Sequence, residues 1–357
     1  MRPDAKGKRS GEAAPRAIDV ARAAGVSEAT VSRTFNEPGK VRPEVRERVL
    51  AVAERVGWLP HGAGSALARR RSLMVGAIIP TLASGIFANY VTAMQRVLAE
   101  HGMTLLLGVS NHDPDQAKRD VASMLIRGVE ALALVGEAYE SDLFAQIQSR
   151  KVPYVVTHTY NPTSAHPTLG IDNFATFHGI ARYLIGFGHR TFGMIVPPRS
   201  NNERVTARVS GVMAALSENG LRIRPAHMKE GPWSPAFGRD SLHEIFADRA
   251  QRPSAVICGN DQIAFGAMMA AREAGLEIPG DFSLTGFDDD PLSSLMQPPL
   301  TTWRVDNARL GRLTAEFLLE RLAGMAPSPL RLEAEILERG STGAAAAVRS
   351  LGSENLT

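Results

Sequence analysis

The feature that most restricts this chain is an alternation that begins at Leu73, where apolar runs of strand length are separated by amphipathic stretches of helical length. The runs lie at 75–79, 104–108, 131–135, 154–157, 192–196, 255–258 and 282–287, and the amphipathic stretches at 87–101, 115–127, 174–187, 205–219, 234–248 and 262–274. Gly102, Gly128, Gly188, Gly220 and Gly275 stand where several of these helices are expected to end, since glycine enters the left-handed conformation that closes a helix. Strands alternating with helices predict a parallel sheet covered on both faces. So many units across residues 73–340 suit two doubly wound α/β lobes, with a boundary near 172 and crossovers near 302 and 325. A (β/α)8 barrel is the rival; it requires evenly sized units, and the broken stretch 159–168 counts against it.

Composition removes several classes. The single cysteine, Cys258, excludes a disulfide framework and a cysteine-based zinc site, and it is expected to lie buried in a strand without a redox role. No apolar run approaches the roughly 18 residues of a membrane span. The basic start (Arg2, Lys6, Lys8, Arg9) is followed by no apolar segment before Ala17, unlike a secretory leader. A soluble, cytoplasmic chain is expected, with no membrane, metal or cofactor.

The net charge of +3 hides an asymmetry: residues 1–72 carry 15 Lys and Arg against 8 Asp and Glu, leaving 25 against 29 in the remainder. A basic head on a mildly acidic body is the distribution of a nucleic-acid module joined to something else, although a solvated basic face has the same balance. Residues 1–15 read as a disordered arm. Residues 16–59 read as three short helices: one ending at Gly25, one capped by Ser27 and running over 28–36, and one opened by Pro43 with Val45, Val49, Val52 and Val56 on a single stripe. Short helix, glycine turn, second helix is the helix-turn-helix plan, whose second helix enters the major groove. On that helix Val31 and Phe35 mark the buried side, and Ala29, Arg33 and Asn36 lie opposite. Arg33 suits guanine O6 and N7, Glu28 a cytosine amino group and Ala29 a thymine methyl, while Thr30 and Ser32 suit phosphates. A three-helix protein-contact module would pack in the same way.

The runs Asp19-Val20-Ala21, Gly25-Val26-Ser27 and Ala29-Thr30-Val31-Ser32-Arg33, with Asn36, resemble the head of the lactose/galactose-repressor family of transcription regulators. Ile171-Asp172-Asn173, Gly188-His189-Arg190, Gly259-Asn260-Asp261 and Gly286-Phe287-Asp288 extend the resemblance over about 18–339. It implies a homodimer on a palindromic double-stranded operator, with a small-molecule effector held in a core of periplasmic-binding-protein type. Residues 60–72 then become a hinge whose Leu67 matches the apolar wedge that opens a base step in the minor groove. Arg69, Arg70 and Arg71 are expected at phosphates. Two departures stand out: Gly62 and Gly64 beside the wedge, and Arg16 where a capping hydroxyl is usual, which is expected to let the first helix fray. The tail, 341–357, carries no leucine heptads and so no added tetramer-forming helix.

Ligands of open α/β sheets sit beyond the carboxyl ends of the strands. The residues that follow the expected strands include Phe87, His158, Asn202 through Arg208, Asn260 and Asp288. By the resemblance, Arg208 grips effector, Asp288 accepts from its donors, Asn260 adds a polar contact, and Phe87 and Trp233 stack on it. His158, Asn202 and Arg204 align with more variable positions. Each has a plainer reading: His158 as a structural histidine, Arg204 as a surface ion pair, Trp233 as a lid over the core. Two cleft arginines with a histidine favour an acidic or phosphorylated sugar. No nucleotide-binding glycine motif, P-loop, nucleophile elbow or zinc-protease helix is present, so no catalytic residue is expected. The alternatives are a cytosolic binding protein, or a sugar-acting enzyme using the run Asp288-Asp289-Asp290, with a non-DNA head.

Each hinge glycine costs roughly 0.8–1 kcal/mol relative to alanine in a helix. The expected outcome is a hinge that is unfolded off DNA, with amides at 61–69 exchanging at unprotected rates in the free protein; protection there contradicts it.

Overall fold

The computed structural model describes residues 14–59 and 71–345, in two units that divide at Leu73. In the first unit, α1 (Ala17–Ala24) and α2 (Glu28–Asn36) are joined through Gly25 in the left-handed conformation, φ 65°. After a 3₁₀ turn, Pro43 opens α3 (Pro43–Val56). The buried sides of the three helices meet in one cluster, Val20, Ala21, Ala24, Val31, Val49, Val52, Ala53 and Trp58. Phe35 sets its ring edge-to-face on Trp58 at 5.3 Å. The start of α1 is tied down without a hydroxyl cap: the Arg16 backbone N–H donates to Asp19 Oδ2 at 2.9 Å. This is the reciprocal half of a capping box; the Asp19 N–H, which a hydroxyl at 16 would have taken, donates to the Arg16 carbonyl at 2.9 Å.

The second unit holds two parallel sheets. In the first lobe β1 (Met74–Ile79), β2 (Thr104–Val109), β3 (Ala131–Val135), β4 (Tyr154–Thr157), β5 (Thr168–Ile171) and β11 (Leu330–Leu332) stand in the order β2-β1-β3-β4-β5-β11. Helices α5 (Pro114–Ile126) and α6 (Ser141–Ser149) cover one face, and α4 (Gly85–Glu100) with α11 (Asn307–Leu322) the other. In the second lobe β6 (Phe192–Val196), β7 (Ile223–Glu230), β8 (Ala255–Cys258) and β9 (Ser283–Thr285) stand in the order β7-β6-β8-β9. They lie between α9 (Pro235–Phe246) with α10 (Asp261–Glu273) and α7 (Asn173–Gly186) with α8 (Glu203–Glu218). Cys258 is fully buried in β8. Among the described residues no helix is long and apolar enough to cross a membrane.

The chain leaves the first lobe between β5 and α7 and returns through β10 (Thr302–Arg304) into α11. Its last crossing follows β11 and not residue 325, because Leu330–Leu332 takes the sheet edge beside β5 before β12 (Glu335–Leu337) pairs with β10. The start of the expected tail also belongs to the second lobe. Ser341 is fully buried, its Oγ donates to the Leu284 carbonyl and its own carbonyl accepts from the Leu284 N–H, both across β9.

Three helix pairs approach closely because a glycine faces a backbone carbonyl. Gly311 of α11 faces Tyr90 O, Gly211 of α8 faces Phe174 O, and Gly266 of α10 faces Pro235 O. A methyl group at any of these collides with backbone, which cannot swing aside. Gly266→Ala is therefore expected to lower the unfolding free energy by about 1–3 kcal/mol, the usual cost of overpacking. Gly179→Ala, beside open space in α7, is expected to raise it by about 0.5–1 kcal/mol through helix propensity. Urea denaturation of the two variants checks this; equal shifts contradict the close-packing account.

Candidate functional site

In the first unit the second helix presents one open face. Glu28, Ala29, Ser32 and Arg33 are exposed, Thr30 and Asn36 half-buried, Val31 and Thr34 buried. Ser27 Oγ accepts from the Thr30 N–H at 3.2 Å, fixing the helix start. Asn36 Nδ2 donates to Ser32 Oγ at 3.3 Å, bracing the far end of the same face. Arg33 forms no ion pair or hydrogen bond among the described residues, so its guanidinium stands free to reach outward. Leu67, Arg69 and Arg70 lie outside the described residues.

In the second unit the strand order reverses between β1 and β3 and again between β6 and β8. The carboxyl ends of strands at such a reversal diverge and leave a crevice. From the first lobe come Phe87 at the start of α4, His112 after β2, the turn Gly136-Glu137-Ala138 after β3, and His158 after β4. The second lobe supplies Asn202, Glu203, Arg204 and Arg208 around the start of α8, Trp233 after β7, Asn260 after β8 and Asp288 after β9. The structure thus brings the sequence-expected cleft residues to the strand ends of the two lobes.

Arg208 is the anchor. Its Nε donates to Asn173 Oδ1 at 2.8 Å and its Nη1 to the Gly259 carbonyl at 3.1 Å. Its guanidinium lies over the Phe287 ring at 4.3 Å and the Phe177 ring at 5.2 Å. Burial pulls its pKa down to about 10, against the pull of Asp288. Asn173 in turn donates Nδ2 to the His158 carbonyl at 3.1 Å, so one side chain ties the arginine to the first lobe. Burial pushes the Asp288 carboxyl up to about 8, in spite of Arg208 and with Asp261 adding to the rise. Asp288 holds φ 105°, a conformation non-glycine residues rarely adopt, which marks a position held by its surroundings.

His158 is half-buried as a residue, yet its Nε2 is sealed and without a partner. Its ring packs on Tyr90 at 4.8 Å and Phe87 at 5.2 Å, and burial together with Arg204 and Arg208 keeps it neutral. Asn202 and Asn260 serve as helix caps: Asn202 Oδ1 accepts from the Val205 N–H at 3.3 Å and Asn260 Oδ1 from the Ile263 N–H at 2.9 Å. Their amide nitrogens, and a second lone pair on each oxygen, remain for a ligand. Trp233 is partly exposed and stacks on His112 across the cleft at 4.7 Å. A second bridge is Glu203, whose two carboxylate oxygens accept from the N–H groups of Glu137 and Ala138 at 2.8 and 3.0 Å. The acidic run does not assemble a carboxylate pair: Asp289 binds Arg339 at 2.7 Å, while Asp290 accepts from Leu292 N and Gln262 Nε2.

Sequence reasoning missed Asn173, His112 and Glu203. Asn173 lay inside a quoted motif and His112 just beyond an expected strand, so both carried a positional signal. Glu203 fell within the expected strand-end run 202–208, but its bridging role carried no signal, because its partners are backbone groups far away in sequence.

Family models match residues in both units of the chain. "Bacterial regulatory proteins, lacI family" matches residues 18–61 and "Periplasmic binding protein-like domain" residues 181–342. The HTH-type transcriptional repressor CytR of Escherichia coli (strain K12) is 30% identical over 326 residues, covering 91% of this chain and 95% of that one. The HTH-type transcriptional repressor PurR of Photorhabdus laumondii is 31% identical over 308 residues, covering 85% and 89%. A lac repressor dimer bound to operator and the anti-inducer ONPF superposes with TM-score 0.82 at 26% identity, covering 93% of this chain and 100% of that one.

The raised Asp288 carboxyl has a pH consequence. Its contribution to stability is fully present below its unfolded value near 3.8 and is lost as pH rises to about 8, since folding favours its protonated form. Asp288→Asn is expected to flatten the stability–pH curve across that window in urea denaturation. Parallel curves for the two proteins contradict the assignment.

Proposed function

From the premise that this chain belongs to the lacI family of bacterial regulatory proteins, we infer a sequence-specific repressor of transcription, working as a homodimer on a palindromic operator in the cytoplasm. It is not an enzyme. A small molecule, a sugar or sugar acid, binds between the lobes of the second unit and sets operator affinity. The supporting observation is the pairing, within one chain, of an open reading face on α2 with a crevice that holds buried, unpartnered polar atoms. Arg33 and Glu28 are the base readers, Ala29 allows close approach, and Ser27, Thr30, Ser32 and Asn36 position the helix. Leu67 is the minor-groove wedge. In the cleft Arg208 and Asp288 offer a donor and an acceptor to neighbouring hydroxyls, and Asn202 and Asn260 their amide nitrogens. Phe87, His158 and Trp233 supply rings that exclude water, and Arg204 sits among them.

Effector and operator act on each other through linkage. An effector that weakens operator binding is itself bound more weakly by the DNA complex, by the same factor.

The test is an operator selected from random duplexes. Arg33→Ala is expected to lose roughly 1–3 kcal/mol on that operator, the value of a bidentate arginine–guanine contact. Binding to random DNA, which is dominated by phosphate contacts, is expected to stay nearly unchanged. Anisotropy titrations at fixed salt measure both; equal losses contradict the reading role.

A further inference from the structure

Arg204 differs from its neighbour Arg208 in one respect that matters. It is over nine-tenths buried, with 8% of its surface exposed, yet its guanidinium donates no hydrogen bond among the described residues, and its Nε is sealed without a partner. The nearest acid is Glu203, whose Oε1 lies 3.8 Å from Nε, but both Glu203 oxygens already accept from the Glu137 and Ala138 N–H groups. Arg208, by contrast, has two donors satisfied by Asn173 and Gly259. The Nε2 of His112 is sealed and unpaired as well, and the charge of Arg204 is felt by His112, His158, Asp288 and Arg208 alike. An arginine presents five N–H donors and always carries its charge. A buried cation without an acceptor is a state that a partner must relieve.

We propose that Arg204, with His112 beside it, forms an anion subsite in the cleft, and that the effector carries a carboxylate or phosphate group held there. The inference rests on the reading of the cleft as the effector site and narrows it to a ligand class. Two features favour an anion over a neutral polyol. The planar fork of a guanidinium matches two oxygens of one carboxylate or phosphate, and among the described residues no carboxylate hydrogen-bonds to that fork. The charges that act on one another here also leave a positive excess: Arg204 and Arg208 stand with Glu203 and Asp288, and Asp288 is protonated more readily than an ordinary carboxyl because burial pushes it up to about 8. The indole of Trp233 stacks on His112 at 4.7 Å and covers one face of that ring.

The test uses the full chain and three probes: D-gluconate for a carboxylate, glucose 6-phosphate for a phosphate, and glucose as the neutral reference. Thermal shift and calorimetric titration are run at constant ionic strength in wild type, Arg204→Gln, Arg204→Lys and Arg208→Ala. The expected result is that at least one anionic probe binds wild type more tightly than glucose, the better of the two telling carboxylate from phosphate. Arg204→Gln then weakens that probe by roughly 30-fold or more, Arg204→Lys falls between, and glucose is weakened by a clearly smaller factor in both. Circular dichroism confirms that the variants fold, and the lysine variant carries the test should the glutamine variant fail to. Glucose binding as tightly as both anions, no binding of either anion, or an anion preference that survives Arg204→Gln each overturns the proposal. Loss of every probe in Arg208→Ala with no change in Arg204→Gln overturns the anion subsite and leaves the cleft reading standing. Probe binding unaffected by either substitution overturns both.

Discussion

The second unit is organised around one buried cation. Arg208 cannot be left bare in a protein interior, and its guanidinium is satisfied by groups from three separate stretches of chain: the Asn173 side chain, the Gly259 carbonyl, and the faces of Phe177 and Phe287. Each requirement propagates. Asn173 must open α7 at the first crossing between lobes, where it also holds the His158 carbonyl. Gly259 must lie tight against Val196 and Pro197, which leaves no room for a side chain. Phe287 must hold its place just before Asp288, whose backbone adopts a conformation it would not choose alone. The polar groups of the crevice are therefore positioned by the same contacts that keep Arg208 satisfied.

Around that centre the lobes are bridged by groups that are strong yet few. Glu203 reaches across to two backbone N–H groups, and Trp233 lies flat on His112. Neither bridge is a hydrophobic core, and each joins surfaces that carry polar atoms of their own. Contacts of this kind hold one arrangement of lobes without excluding another, which is what a ligand needs if its binding is to shift an equilibrium. The cores on either side, closed by glycine contacts between helix pairs, are rigid by comparison.

Much of this was legible in the sequence, and the gaps have physical reasons. The apolar runs announced the buried strands, because a parallel strand covered on both faces must be apolar throughout. Strand β7 escaped because it is an edge strand: half of Ile223–Glu230 is solvent-exposed, so no apolar run marks it. Strand β11 and the return at Leu332 escaped because three-residue pairing carries no periodicity. Phe87, His158, Asn202 through Arg208, Asn260 and Asp288 could be named from position, whereas Trp233, which follows the missed β7, was named only through the family resemblance. What could not be foreseen was the capping duty of Asn202 and Asn260, or that Arg204 would lie buried without a partner, since both depend on which backbone groups arrive nearby. In the head, the helix boundaries and the buried Val31 followed from spacing. The Asp19 carboxylate holds the Arg16 N–H and the Arg16 carbonyl takes the Asp19 N–H, an arrangement visible only in three dimensions.

Sensor and reader share one chain, and the coupling of their two binding energies is the central claim. The direct measurement is a pair of titrations on the full-length protein: operator affinity with and without a saturating cleft ligand, and affinity for that ligand with and without operator. The account predicts that the two ratios are equal and lie within the roughly 5- to 150-fold range of ordinary allosteric coupling. A ligand that saturates the cleft and leaves operator affinity unchanged contradicts it.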